Sequence, residues 1–242
     1  DWMKIYCEAR YGGYPDAMEE AWKLFRKTAY SSLYSYPRFT WQTVIPDQRR
    51  ISKIDLSDDY LQAIRLYASC ADELKSSELY RNDLIEFVSY YVAAKAEIFY
   101  KQALKDDSEN RVLAAQRNLQ QTVDLLMDVD RLLASHPLYR LEEWVELARN
   151  SGTTLQEKDA YEANAKRLIT SWGGIQEDYA ARFWSGLIKD YYIPRIQLYF
   201  TKDRNKIREW EEQWITSPWS NSTTPFDDPV EAALSLIEKT NK

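Results

Sequence analysis

The chain has 242 residues with a formal net charge of -6, nine Trp, eighteen Tyr and only six Gly. This length accommodates one large domain or two small ones, each able to bury a core without metals or disulfides. Lys and Arg are scattered among Asp and Glu, so the basic patch of a nucleic-acid binder is missing and nucleic acid is excluded as a partner. The sequence contains no apolar run long enough to span a membrane.

The two cysteines and the single histidine do not form a metal-binding pattern. Cys7 and Cys70 are far from each other and from His136, so their spacing predicts no metal site and allows at most one disulfide. Two fates remain open for the cysteines, a bridge or two buried free thiols. His136 precedes a proline between helices and is interpreted as a polar loop residue. We expect neither a metal nor a cofactor.

Apolar residues recur at intervals of three and four along almost the whole chain, which predicts an all-α fold. We expect a single bundle-like domain over residues 1–242 with about eight to ten helices and one long irregular excursion near residues 34–56, where prolines interrupt the helical period. The first predicted helix ends near Arg10. The others are predicted over Asp16–Ala29, Ser57–Lys75, Ser77–Lys105, Ser108–Ala134, Leu138–Ala148, Thr154–Ser171, Gln176–Pro194, Arg204–Trp214 and Pro229–Lys239.

Serine and threonine residues mark several of the predicted helix starts. Ser57, Ser77 and Ser108 are each placed to cap one of three long helices, and Thr154 with Glu157 forms a capping box. Because the connections between the three long helices are short, we expect neighbours in that group to run antiparallel. Pro194 is expected to kink or end the helix that contains it, since proline removes one backbone hydrogen bond.

The stretch "SWGGIQEDY" places two large aromatic residues on either side of a glycine break. Gly173 and Gly174 suit a helix end because glycine adopts the left-handed conformation without steric cost. We predict Trp172 at one helix end and Tyr179 in the first turn of the next, both facing the junction where a cleft can form. A Trp ring suits the C–H face of a sugar and a Tyr hydroxyl can reach a sugar hydroxyl. The alternative is that both residues only pack.

The sequence has no self-contained catalytic motif. A nucleophile elbow, a phosphate-binding glycine loop and zinc or calcium loops are all missing. A glycosidase needs only two carboxylates, but spacing does not select a pair among the many Asp and Glu residues. Asn221 to Thr223 form an N-x-T sequon, which matters only where secreted proteins are glycosylated.

The segment "YEANAKRLITSWGGIQEDYAARFWSGLIKDYYIPR", Tyr161 to Arg195, resembles the helical C-terminal domain of α-N-acetylglucosaminidases, glycoside hydrolase family 89. The shared pattern is a helix ending in Thr-Trp-Gly, then Asp-Tyr-Ala, a Gly-Leu pair and Tyr-Tyr-x-Pro-Arg. "LEEWVELAR" and "YCEARYGGYPDAMEEAWKLFRKTAY" resemble two earlier parts of the same domain, so the resemblance covers nearly the whole chain. The loop between Trp172 and Tyr179 is shorter than in many relatives.

The resemblance implies that the whole enzyme is a retaining glycosidase that removes terminal α-linked N-acetylglucosamine from glycans. In such enzymes two glutamates lie on a (β/α)₈ barrel that precedes this domain. The chain would then be a fragment that lacks the barrel, packs against it, lines one wall of the substrate cleft with Trp172 and Tyr179, and is inactive alone. Its partners would be the barrel and an N-acetylglucosamine-terminated glycan. We expect export to the periplasm, the lysosome or the extracellular space, according to source.

Two other interpretations remain open at this stage. One is a stand-alone helical module that binds glycans or proteins through Trp and Tyr without catalysis. The other is a helical scaffold whose aromatic residues all belong to the core. A helical stretch already under way at Asp1 favours a piece of a longer enzyme over the stand-alone module.

Overall fold

The computed structural model describes residues 2–31, 38–43, 57–172, 178–220 and 222–240. Within these ranges the chain forms α-helices, without any β-strand, so the prediction of an all-α fold is confirmed. The helices are α1 (Trp2–Tyr11), α2 (Asp16–Lys27), α3 (Asp58–Ser69), α4 (Ala71–Leu74), α5 (Glu78–Ser108), α6 (Val112–Leu133), α7 (Leu141–Asn150), α8 (Leu155–Ile169), α9 (Ile193–Tyr199), α10 (Arg204–Thr216) and α11 (Pro229–Thr240).

Three of the four helix caps predicted at Ser or Thr residues are confirmed. The Ser57 and Ser77 hydroxyls accept hydrogen bonds from the backbone N–H groups of Tyr60 and Tyr80. The capping box of Thr154 and Glu157 is present at the start of α8. These caps satisfy backbone donors that the first helical turn leaves without an intrahelical partner.

The predicted cap at Ser108 is wrong. The Ser108 hydroxyl donates to the carbonyl of Lys105, and α5 continues through Ser108 to its end. The turn that follows contains Asn110 in a left-handed conformation (φ 58°), and α6 begins after Arg111. The predicted helix after Ser57 is also divided, because Cys70 interrupts it between α3 and α4.

Helix α5 is the centre of the fold. It packs along α6, and α1, α3 and α11 contact its other sides. Its buried residues therefore lie on every side of the helix, as expected for a helix covered all round, and include Tyr80, Leu84, Val88, Tyr91 and Val92. The 31 residues of α5 span roughly 45 Å, which makes it the longest of the described helices.

The segment after the glycine break departs most from the sequence-based expectation. Residues 178–184 are not helical, so the predicted helix from Gln176 and the placement of Tyr179 in its first turn are wrong. The chain enters a π-helical turn, Ile188–Tyr192, which continues directly into α9. Pro194 lies just after this wide turn, whose geometry accommodates the missing backbone donor, and the helix continues to Tyr199.

The described part of the predicted irregular excursion is short and buried. Residues 38–43 contain a 3₁₀ turn, Thr40–Gln42, and bury Phe39 and Trp41 in the core. The rest of residues 34–56 lies outside the described residues, as do Gly173, Gly174 and Asn221. Cys7 and Cys70 are free and buried, and burial raises the pKa of each thiol to about 11.

Candidate functional site

Trp172 and Tyr179 lie in contact on the surface of the molecule. Their ring centroids are 4.9 Å apart with an interplanar angle of 53°. Trp172 is 48% exposed and Tyr179 is 55% exposed, so neither ring belongs to the core. Exposed and adjacent aromatic rings can present both an apolar surface and a polar phenol group to a ligand. The structure therefore brings the two predicted site residues together.

The backbone of Trp172 adopts an unusual conformation. Its φ is 59°, in the left-handed region that bulky residues rarely occupy, and its N–H donates to the carbonyl of Arg167 at 2.7 Å. Trp172 thus adopts, in the turn that follows α8, the left-handed conformation that glycine usually supplies after a helix. A strained conformation of this kind is common at functional sites, where surrounding contacts maintain it.

Tyr179 is held next to the end of the same helix. Its backbone N–H donates to the carbonyl of Thr170 at 2.9 Å, and the Thr170 hydroxyl donates to the carbonyl of Lys166 at 2.7 Å. Thr170 is buried. The chain that leaves α8 at Trp172 therefore returns to the last turn of α8 at Tyr179, which explains why the two rings meet.

Two arginines hold Asp178, the residue before Tyr179. Arg38 Nη2 lies 2.7 Å from Asp178 Oδ1, and Arg38 Nη1 donates to the Asp178 carbonyl at 3.0 Å. Arg195 Nη1 lies 3.5 Å from Asp178 Oδ1. Charge-assisted hydrogen bonds of this kind are stronger than neutral ones.

Arg195 is almost fully buried, at 1% exposure, and has partners on several elements. It donates to Tyr191 Oη at 2.9 Å, Glu211 Oε1 at 3.1 Å and the Gln42 carbonyl at 2.5 Å. Its guanidinium carbon also lies 4.6 Å from the centre of the Tyr191 ring. These partners compensate the removal of a charged group from water.

A second buried carboxylate, Asp130 on α6, fixes the start of the π-helical turn. It accepts hydrogen bonds from the backbone N–H groups of Gly186 (2.8 Å) and Lys189 (3.0 Å) and from the Thr223 hydroxyl (2.5 Å). Burial raises the pKa of Asp130 to about 6, although these hydrogen bonds oppose the rise. Gly186 has a φ of 82°, and a Cβ there would lie 3.2 Å from Leu141 and Trp219. Only glycine fits this turn without displacing a neighbour.

The residues that hold Asp178 were missed from sequence. Arg195 stands in the Tyr-Tyr-x-Pro-Arg pattern and Asp178 in Asp-Tyr-Ala, so a signal for both was present. Arg38 lies in the excursion without a recognisable motif, 140 residues from Asp178. His136 is buried, and its Nδ1 accepts from the backbone N–H of Leu138, in agreement with a structural role.

The described ranges contain no group of three or more His, Cys, Asp or Glu side chains placed to hold a metal ion. None of the helices in those ranges is both long enough and apolar enough to cross a membrane. The described site is an exposed aromatic pair in which Tyr179 follows Asp178, a residue bound by the partly buried Arg38 and the buried Arg195. Such an arrangement can bind a ring-shaped polar ligand.

Comparisons with known proteins give consistent results. The family model described as "Alpha-N-acetylglucosaminidase (NAGLU) C-terminal domain" matches residues 2–239. A Homo sapiens protein described as "Alpha-N-acetylglucosaminidase" is 28% identical over 270 residues, an alignment that covers 98% of this chain and 35% of the human protein. The chain therefore spans about a third of the length of this relative.

Solved structures share the fold. The structure of a family 89 glycoside hydrolase from Clostridium perfringens in complex with PUGNAc has a TM-score of 0.84 and 23% identity, and the match covers 98% of this chain and 31% of that chain. A Clostridium perfringens structure in complex with its substrate GlcNAc-alpha-1,4-galactose has the same TM-score and coverage with 22% identity. At these identities the likeness establishes the all-helical fold.

Proposed function

Because the chain belongs to the family of α-N-acetylglucosaminidase C-terminal domains, we propose that it is the helical domain of a retaining glycoside hydrolase that removes terminal α-linked N-acetylglucosamine from glycans. The domain packs on a preceding catalytic (β/α)₈ barrel and lines one wall of the substrate cleft. The reaction requires two carboxyl groups roughly 5 Å apart, which the barrel supplies. The chain alone is inactive. Such a substrate also implies export of the whole enzyme, to the periplasm, lysosome or extracellular space.

The observation that carries the proposal is the exposed contact between Trp172 and Tyr179. A Trp ring offers a flat apolar surface to the C–H groups of a pyranose, and the Tyr hydroxyl is a donor and acceptor for a sugar hydroxyl or the acetamido group. The left-handed backbone of Trp172 supports the same role, since it keeps the indole at the end of α8. Both residues bind the sugar, and neither takes part in proton transfer or nucleophilic attack.

The test measures hydrolysis of an aryl α-N-acetylglucosaminide by the full-length protein. Trp172→Ala is expected to lower kcat/KM by about tenfold or more, because roughly 1.4 kcal/mol of sugar contact corresponds to a factor of ten. Tyr179→Ala is expected to lower kcat/KM by about tenfold. The 242-residue chain without the barrel is expected to give no turnover.

Tyr161→Ala is the matched control. Tyr161 lies within α8, eleven residues before Trp172, and is 44% exposed. Its replacement is expected to leave kcat/KM unchanged. Wild-type kinetics for Trp172→Ala and Tyr179→Ala, with unchanged thermal stability, would remove both residues from the site. Turnover by the chain alone would contradict the assignment of the catalytic carboxylates to the barrel.

A further inference from the structure

The segment that carries Tyr179 lacks the internal hydrogen bonds of a helix. Residues 178–184 are not helical, and two of their carbonyl groups accept hydrogen bonds from side chains distant in sequence. Arg38 Nη1 donates to the Asp178 carbonyl at 3.0 Å, and Gln42 Nε2 donates to the Ala181 carbonyl at 3.3 Å. An exposed aromatic residue on such a segment keeps one position only if its neighbours fix the backbone.

Residues 38–43 provide that support. The carboxylate of Glu97 on α5 accepts the backbone N–H of Thr40 at 2.9 Å and also the Thr40 hydroxyl, which ties the segment to the central helix. The Phe39 and Trp41 rings lie 6.0 and 6.4 Å from the Phe183 ring. The irregular segment therefore lies beneath residues 178–184 and is joined to them by both polar and aromatic contacts.

Asp178 connects residues 38–43 to the aromatic pair, because it directly precedes Tyr179. Arg38 binds both its carboxylate and its carbonyl, so the side chain and the backbone of the residue before Tyr179 are held together. Arg195 approaches the same carboxylate oxygen from the core, and its second nitrogen binds the Gln42 carbonyl. Arg38 Nη2 binds the Gln42 carbonyl as well, at 3.1 Å. The two arginines thus join Asp178 to residues 38–43 and to the core.

We propose that Arg38 and Arg195 are positioning residues that hold Asp178 so that the Tyr179 ring already lies against Trp172 before a sugar binds. This inference rests on the proposed function of the aromatic pair. A ligand gains affinity when its contacts are fixed in advance, because less conformational freedom is lost on binding. The irregular segment at residues 38–43 then acts on the substrate cleft without touching the substrate.

Arg38 offers the cleaner test because Arg195 is so deeply buried that its loss affects the whole fold. Arg38→Gln in the full-length protein is expected to raise KM about fivefold with kcat nearly unchanged, since a contact made equally in ground and transition states acts on binding. Arg38→Lys is expected to rescue part of the loss, because lysine keeps the charge beside Asp178 but not the second hydrogen bond.

Arg10→Gln is the matched control for lost stability. Arg10 forms a two-fold hydrogen-bonded ion pair with Asp83, at 2.8 and 2.6 Å, and is partly buried like Arg38. This pair joins α1 to α5, and neither helix contributes Trp172 or Tyr179. Its loss is expected to lower thermal stability and leave KM unchanged. An equal rise of KM in both variants would overturn the positioning role.

A double-mutant cycle separates an effect through Tyr179 from a general one. If Arg38 acts through Tyr179, the variant carrying both Arg38→Gln and Tyr179→Ala is expected to have the same KM as Tyr179→Ala alone. A KM for the double variant equal to the product of the two separate effects would contradict the proposal.

The closing measurement does not depend on catalysis. Near-ultraviolet circular dichroism reports the fixed contact between aromatic rings, and Tyr179→Ala supplies the reference difference spectrum. Arg38→Gln is expected to reproduce that difference and Arg10→Gln to lack it. A wild-type spectrum for Arg38→Gln would overturn the positioning role whatever the kinetics. The expected spectral change together with wild-type kinetics for Tyr179→Ala would instead contradict the proposed function.

Discussion

The α5–α6 hairpin and the segment from Asp178 to Tyr199 are both packed into the interior, but different interactions hold them. The hairpin is regular helix whose buried residues, such as Leu84, Val88, Leu126 and Val129, are mainly apolar. The second segment combines non-helical backbone, a π-helical turn and the buried Arg195. The hairpin is stabilised mainly by the burial of apolar surface. The segment from Asp178 to Tyr199 depends in addition on the pairing of a few polar groups.

The contrast shows where this domain departs from an ideal helical bundle. Regular packing stabilises the hairpin over its whole length, and the loss of one contact there leaves many neighbouring contacts in place. Around Asp178, a few polar contacts are made by only two side chains, Arg38 and Arg195, so the loss of either arginine removes several of them. Departures from regular structure of this kind are expected where a site must be presented in one geometry. The following variants test that difference.

The largest effect is expected for Arg195→Met. Removing this guanidinium takes a charged donor from the Glu211 carboxylate and from the Tyr191 hydroxyl, which keep only the 2.6 Å hydrogen bond between them. Breaking a buried pair in this way lowers the free energy of unfolding by about 3–5 kcal/mol. Urea denaturation with a constant m-value measures the loss.

Arg167→Met is its matched control, because Arg167 pairs with Glu212, the residue next to Glu211, in an exposed ion pair at 2.6 Å. An exposed pair contributes about 1 kcal/mol or less. If both variants lost the same stability, buried charge pairing would not be what distinguishes the segment from the hairpin.

The next effect concerns Asp130, which joins the hairpin to the second segment. Burial raises its pKa to about 6, above the value near 3.9 of an unfolded aspartate. The unfolded chain therefore releases this proton at lower pH than the folded protein, so the Asp130 contribution destabilises the fold progressively as pH rises from about 4 to about 6. Above about pH 6 the shifted pKa lowers the free energy of unfolding by up to about 3 kcal/mol relative to an aspartate with an ordinary pKa. Below about pH 4 this difference vanishes.

Asp130→Asn is expected to remove this pH dependence. The amide oxygen can accept the Gly186 and Lys189 N–H groups, while the amide nitrogen can donate to the Thr223 hydroxyl. The measurement is the difference in unfolding free energy between wild type and variant at pH 4 and pH 7. Asp124→Asn, at an exposed position of the same helix, is the control and should show no such difference. A constant difference for Asp130→Asn would show that its carboxyl titrates normally.

Sequence patterns predicted the regular part of the fold because the signals there are local. The caps at Ser57, Ser77 and Thr154 act within three residues, and the apolar stripe containing Leu126 and Val129 repeats along a single helix. The error at Ser108 is of the same local kind. A serine before a helical pattern resembles a cap. Here α5 instead continues to Ser108, and Arg111 in the turn after α5 binds Asp106 in its last turn.

The site was only partly predictable. The sequence predicted that Trp172 and Tyr179 face one junction, and their contact is observed, although the helix predicted to carry Tyr179 is absent. The spacing of Tyr179, Phe183 and Leu187 matches a helical stripe, but Phe183 packs on Phe39 and Trp41 from a non-helical segment. That contact and the pairing of Arg38 with Asp178 join residues about 140 positions apart. A single sequence contains no local signal for such contacts.

The smallest effect is expected for Thr154→Ala at the start of α8, the helix that ends next to Trp172. The Thr154 hydroxyl accepts the N–H of Glu157 at 3.2 Å, and its loss is expected to lower the free energy of unfolding by about 1 kcal/mol. Leu155→Ala, at a neighbouring position that is 71% exposed, should change stability by less than about 0.5 kcal/mol. Since regular structure separates this cap from the aromatic pair, KM should stay at its wild-type value in both variants. A raised KM for Thr154→Ala would mean that the end of α8 responds to changes at its start, and the regular and irregular regions would then not be independent.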